Sequence, residues 1–77
     1  MKIKVLLFGV LAEKAGESKL TVENIKDIES LKEYMFTKFP DFKNLTFQIS
    51  INQSLIHENM LLKNGDEVAF LPPFAGG

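Results

Sequence analysis

One stretch of this sequence has the length and spacing of a full helix, and almost everything around it reads as strand. Ile28, Leu31, Met35 and Phe39 recur at intervals of three, four and four residues, which places them on one helical face. Asp27 stands where a carboxylate can cap the first turn. Pro40 ends the helix, because it lacks an amide hydrogen and restricts the residue before it. Glu29, Lys32, Glu33 and Lys38 fall largely away from the apolar stripe. A single helix must bury that stripe against another layer, and the flanking segments supply one.

Before the helix, Lys2 to Phe8 alternates, with Ile3, Val5 and Leu7 on one face and Lys2, Lys4, Leu6 and Phe8 on the other. Gly9 to Gly16 breaks the pattern and reads as a loop with a helical turn, after which Lys19–Val22 resumes it as the second arm of a hairpin. Beyond the helix, Phe47, Ile49 and Ile51 alternate with Gln48 and Ser50. Asn52-Gln53 forms a turn into a short strand around Leu55-Ile56. Asn64-Gly65-Asp66 is a further turn before a last strand, Glu67–Leu71, with Val68 and Phe70 on one face and Glu67, Ala69 and Leu71 on the other. Pro72-Pro73 stops sheet pairing, since neither proline can donate a ladder hydrogen bond.

Two hairpins flanking one helix predict an α+β fold of the β-grasp, ubiquitin-like type. It would be a mixed sheet of about five strands with the main helix packed on one face. In that arrangement the first and last strands lie side by side in the middle of the sheet. Ile3, Val5, Leu7, Val68 and Phe70 then meet the helical stripe in one core.

At 77 residues the chain makes one domain, spanning 1–77 with a flexible tail at 72–77. A domain of this size buries only about 60–65% of the surface of its unfolded chain, so modest stability is expected. The absence of cysteine removes disulfides, thiolate metal sites and a thiol nucleophile. The net charge is −1, and all nine basic residues are lysines. No basic stripe or arginine fork for nucleic acid is visible. Apolar runs such as Val5–Phe8 are strand-sized and far short of a membrane span, and Met-Lys-Ile-Lys leads straight into a strand rather than a signal peptide. The expected setting is the cytoplasm.

The feature that carries chemistry is the end of the sequence. After Pro72 and Pro73 come Phe74, Ala75, Gly76 and Gly77. The prolines stiffen the exit from the sheet, and the glycines leave the last residues without side chains. Such a tail can thread a narrow channel and present its carboxylate inside a partner enzyme. A terminal glycine also offers nucleophiles the least hindered acyl carbon of any residue. Terminal glycines alone carry little weight, because a pair arises by chance in about one chain in 200 at average usage. The proline stop and the fold context raise it well above that.

Asn64-Gly65-Asp66-Glu67-Val68-Ala69-Phe70-Leu71-Pro72-Pro73-Phe74-Ala75-Gly76-Gly77 resembles the C-terminal signature of molybdopterin synthase small subunits. The likeness extends to the opening strand with Phe8, the Glu13–Gly16 segment and Ile51-Asn52-Gln53-Ser54-Leu55, and so covers essentially the whole domain. The resemblance implies a sulfur carrier that is not catalytic alone and acts as the sulfur-donating subunit of a sulfurtransferase complex. An E1-like adenylating enzyme would use ATP to activate the Gly77 carboxyl, and a sulfur donor protein would then turn it into a thiocarboxylate. The charged carrier would dock on a large catalytic subunit and donate sulfur to a pyranopterin precursor, forming the dithiolene of molybdopterin. No bound cofactor is implied, ATP serving only the activating enzyme. A carrier for thiamine or transfer-RNA thiolation, a ubiquitin-like protein modifier and a non-catalytic interaction module are the alternatives. Pro72-Pro73 and the preceding Asp-Glu-Val-Ala-Phe run argue against the first of these.

Strand parity places Leu6, Phe8, Ala69 and Leu71 on the face away from the helix, where neighbouring strands would gather them into one apolar patch. A patch of that kind on a small domain marks an interface. The resemblance carries partner contact onto Phe8, Leu55 and Leu71, and Phe74 is a fourth candidate beside the tail. His57, the one histidine, reads as a solvated residue near a turn. Asp66 and Glu67, adjacent in sequence, face opposite ways and suit turn shaping, or contact with the activating enzyme, better than paired acid–base work. The Gly9–Gly16 segment lacks the lysine and hydroxyl spacing of a phosphate loop, and no metal site is visible.

Overall fold

In the computed structural model, which describes residues 1–73, the opening alternation forms β1 (Lys2–Leu7). Ile3, Val5 and Leu7 enter the core while Lys2 and Lys4 stay in solvent. The segment expected as a loop with a helical turn is a short helix, α1 (Val10–Ala15). The two glycines that looked like loop boundaries are its caps, Gly16 closing it in the left-handed region with its amide on the Ala12 carbonyl. What holds so short a helix is tertiary: Leu11 is fully buried, and Ala12 and Ala15 pack against the core.

β2 (Lys19–Glu23) runs antiparallel to β1, with Leu20 opposite Val5 and Val22 opposite Ile3. α2 (Ile28–Lys38) starts where the sequence places it. The Asp27 carboxylate accepts the Ser30 amide hydrogen at 2.9 Å, satisfying a first-turn donor that has no partner within the helix. Ile28, Leu31 and Met35 are buried, and Phe39 is the half-buried capping residue at the other end.

Pro40 ends α2 and also opens a 3-10 helix, Pro40–Asn44, which no periodicity announced. It drives Phe42 into the core at 0% exposure. There Phe42 lies 5.3 Å from the Phe39 ring centroid and 6.3 Å from that of Phe70, while Phe47 sits 5.1 Å from Phe70. These separations fall in the favourable range for offset and tilted aromatic pairs.

β3 (Gln48–Ile51) and β4 (Ser54–Ile56) form the second hairpin. Asn52 and Gln53 turn it with φ of 49° and 73°, the positive pair that a two-residue hairpin loop demands. β5 (Glu67–Leu71) then runs up the middle, parallel to β1 and antiparallel to β3. The strand order is β2-β1-β5-β3-β4. The expected β-grasp architecture is therefore present, with the first and last strands adjacent and the Ile3, Val5, Leu7, Val68 and Phe70 side chains in one core with the α2 stripe. No helix of the described residues is long and apolar enough to cross a membrane.

Candidate functional site: the open sheet face and the root of the tail

α2 covers one face of the sheet, and the opposite face carries the alternate residues of every strand. Register decides which of them are neighbours. Leu6 stands opposite Ala69, Ala69 opposite Ser50, and Ser50 opposite Leu55, so one row crosses β1, β5, β3 and β4. Leu71 pairs with Gln48 one step nearer the tail, and Phe8 continues β1 at the same end, its amide donating to the Phe70 carbonyl at 3.3 Å.

The five residues expected at the interface come together around one depression of about 280 Å³, lined by Leu6, Phe8, Leu55, Ala69 and Leu71 with Ser50, Gln53 and Glu67. Phe8 is 42% and Leu55 52% exposed, a large apolar area to leave in water. Leu6 and Leu71 are half-buried. Ala69 differs from its expected place on the surface of the patch: it is 8% exposed and lies at the bottom, because its single methyl sits beside the larger Leu6 on β1. Ser50, 6% exposed beside it, was not singled out from the sequence, although its parity with Gln48 was the signal that could have found it.

At the tail end of the patch, Gly9 and Pro72 are in contact. Gly9 has φ 57° and ψ −133°, a mirror-image extended conformation open to glycine and costly for other residues. A Cβ built there would lie 2.9 Å from Pro72 Cγ. The turn from β1 into α1 thus abuts Pro72, the residue after β5. Pro72 and Pro73 are half-buried at the top of β5. The remaining expected tail residues, Phe74, Ala75, Gly76 and Gly77, lie outside the described residues.

The opposite end of β5 is tied down by polar groups. Asp66 accepts the Lys63 amide at 2.8 Å and the Asn52 side-chain amide at 3.0 Å, while the Asn52 Oδ1 accepts the Glu67 amide at 3.0 Å. The Lys4 amide donates to the Asp66 carbonyl at 2.9 Å. Asp66 therefore shapes the turn as expected, and Asn52 staples the β3–β4 hairpin to β5. Hydrogen bonding from Ser30, side chain and then backbone, holds Asp27 below the ordinary carboxylate range, a capping effect distant in sequence from the tail. His57 is solvent-exposed. Among the described residues no cluster of three or more His, Asp or Glu could hold a metal ion.

A five-stranded mixed sheet grasping one helix, with two prolines at the end of its central strand beside an apolar face, defines a β-grasp domain. The chain belongs to the ThiS family, whose model matches residues 5–77. It is 33% identical to the molybdopterin synthase sulfur carrier subunit of Mycobacterium tuberculosis, over 100% of this chain and 99% of that one. It superimposes on a chain in the Helicobacter pylori complex of subunits 1 and 2 of the molybdopterin-converting factor with a TM-score of 0.75 and 26% identity, covering 100% of both chains. The small archaeal modifier protein 1 of Methanosarcina acetivorans matches with a TM-score of 0.84 and 28% identity, covering 99% of this chain and 96% of that one.

Proposed function

We propose that this chain is the sulfur carrier subunit of a molybdopterin synthase. The observation that carries the reading is the run of similarity through Gly77: the family match and the Mycobacterium relative both extend over the tail as well as the folded domain. The structure supports it by setting the root of that tail in the central strand, beside an apolar face that a partner can cover.

The chemistry follows from the reactivity of a carboxylate, which is a poor acyl donor until one oxygen becomes a leaving group. An adenylating enzyme supplies this from ATP: a Gly77 carboxylate oxygen attacks the α-phosphorus, pyrophosphate leaves, and an acyl adenylate forms. Sulfur at the sulfide level, delivered by a donor protein, then displaces AMP to give the thiocarboxylate. Its sulfur is a far better nucleophile than a carboxylate oxygen, and it adds to the pyranopterin precursor on the large subunit. Hydrolysis of the acyl–sulfur bond leaves sulfur on the pterin and restores the Gly77 carboxylate. Phe8, Leu55 and Leu71 hold the large subunit while Pro72 to Gly77 reach into it. The working place of this cycle is the cytoplasm.

Intact-mass measurement after co-expression with the adenylating enzyme and a sulfur donor tests the reading. The expected product has one oxygen of the Gly77 carboxyl replaced by sulfur. Only adenylate or isopeptide adducts, with no sulfur-bearing form, would overturn it. The likeness to an archaeal modifier protein favours protein modification as a second reading, and isopeptide-linked products in the same experiment would establish it.

A further inference from the structure

The apolar face is shaped as a socket. Across the row from β1 to β4 the side chains run large, small, small, large: Leu6, Ala69, Ser50, Leu55. The two small residues form a floor at 8% and 6% exposure, and the two leucines stand on either side. Phe8 and Leu71 close the end nearest the tail, whereas Gln53 and Glu67 line the remainder. The depression holds about 280 Å³. A cavity of about 150 Å³ lined by aliphatic and aromatic residues is enough to take benzene, so this space fits one aromatic side chain.

We propose that the socket over Ala69 and Ser50 receives a single aromatic side chain projecting from the large subunit, and that this insertion anchors the complex. The inference rests on the function proposed above and names the anchor of that interface. Two features tie the occupant to the large subunit, the kind of partner with which the Helicobacter pylori relative forms a complex. Leu71 is both a wall of the socket and the residue before Pro72, and Phe8 is followed by Gly9, which abuts Pro72, so the socket wall and the tail root are one structure. Four residues follow Pro73, with a reach of roughly 14 Å when extended. A large subunit that receives the Gly77 carboxyl comes that close to Pro73, which brings its surface beside the socket wall at Leu71. The polar lining also narrows the choice. Glu67 and Gln53 offer acceptors at one side, which suits a ring with a donor at its edge, such as tyrosine or tryptophan. Such residues are enriched among the few that dominate interface energetics.

A socket and a flat apolar contact respond in opposite ways to filling. Ala69→Leu and Ser50→Leu add apolar area to the face, so a flat contact would bind as well or more tightly. A socket would be plugged. The experiment measures affinity for the large subunit by calorimetry, with the wild-type chain, the two leucine variants, and Thr21→Leu as a control of equal size on the same face of β2, outside the socket. Both plugged variants are expected to bind at least 100-fold more weakly, mainly through faster dissociation, while Thr21→Leu stays within about twofold of wild type. Thermal melts establish that each variant is folded, and each leucine variant tests the socket independently should the other fail to fold. Plugged variants that bind as tightly as wild type would refute the socket and leave the proposed function standing. A wild-type chain that fails to bind the large subunit at all would instead overturn the proposed function, and the socket with it.

Discussion

Gly9 and Pro72 meet with no room for a side chain between them: a Cβ at residue 9 would stand 2.9 Å from Pro72 Cγ. The backbone of Gly9, at φ 57° and ψ −133°, independently disfavours any other residue. The position of Pro72 at the end of β5 is thereby tied to the turn that follows β1.

Gly9→Val should therefore do two things. Backbone strain should lower stability by about 1–3 kcal/mol, read as a fall in the thermal midpoint. Displacement of Pro72 should also slow adenylation of Gly77 at temperatures where the variant is fully folded. Adding Pro72→Ala, which deletes the ring atom in the way, should recover part of the adenylation rate without recovering the strain. Equal adenylation by wild type and Gly9→Val would show that the contact does not aim the tail.

Phe8→Glu places a charge on the rim of the apolar depression, where wild type leaves a ring 42% exposed. Since that ring already meets water over 42% of its surface, the fold should tolerate the change, with stability lowered by about 1 kcal/mol. Binding of the large subunit should weaken at least tenfold, because the carboxylate must be desolvated in the complex. Unchanged affinity would remove Phe8 from the interface.

Phe42→Ala addresses the core rather than the site. The ring is fully buried among Phe39, Phe47 and Phe70, and its loss should cost about 3–5 kcal/mol. In a domain this small that is a large share of the total, so urea melts should show a marked fall in midpoint. A change below about 1 kcal/mol would mean that the 3-10 helix contributes little to the core.

Asp27 links stability to pH. Its folded pKa lies below the ordinary value of 3.8, chiefly through hydrogen bonding from Ser30. The unfolded chain therefore binds the proton more readily, and the stabilisation is complete above the unfolded pKa and lost as pH falls through the folded one. Asp27→Asn keeps an acceptor for the Ser30 amide but removes the charge. The stability difference between wild type and variant should be largest near pH 6 and shrink toward about pH 2, as followed by thermal melts. A difference independent of pH would show that the carboxylate charge plays no part in the cap.

Much of this protein was legible in short windows of sequence. Ile3, Val5 and Leu7 alternate on a two-residue period, and Ile28, Leu31 and Met35 follow the helical one, so burial of each set follows from local geometry. The same parity pointed Leu6 and Leu71 away from the helix. Long-range register decided what local periods do not contain. Phe42 joins the core through a 3-10 helix that sets it against the Phe70 ring, distant in sequence, and α1 forms because Leu11 finds a core to enter. Ala69 and Ser50 become a floor only when β5 pairs with β1 and β3, and β3 with β4, which sets Leu6 and Leu55 on either side of them. Gly9 reads as a loop glycine until the parallel pairing of β1 and β5 brings Pro72 against it, 63 positions along the chain. The proline stop after β5 was written in the sequence; the surface that surrounds Pro72 exists only in the folded sheet, because cross-strand contacts join residues that no local pattern connects.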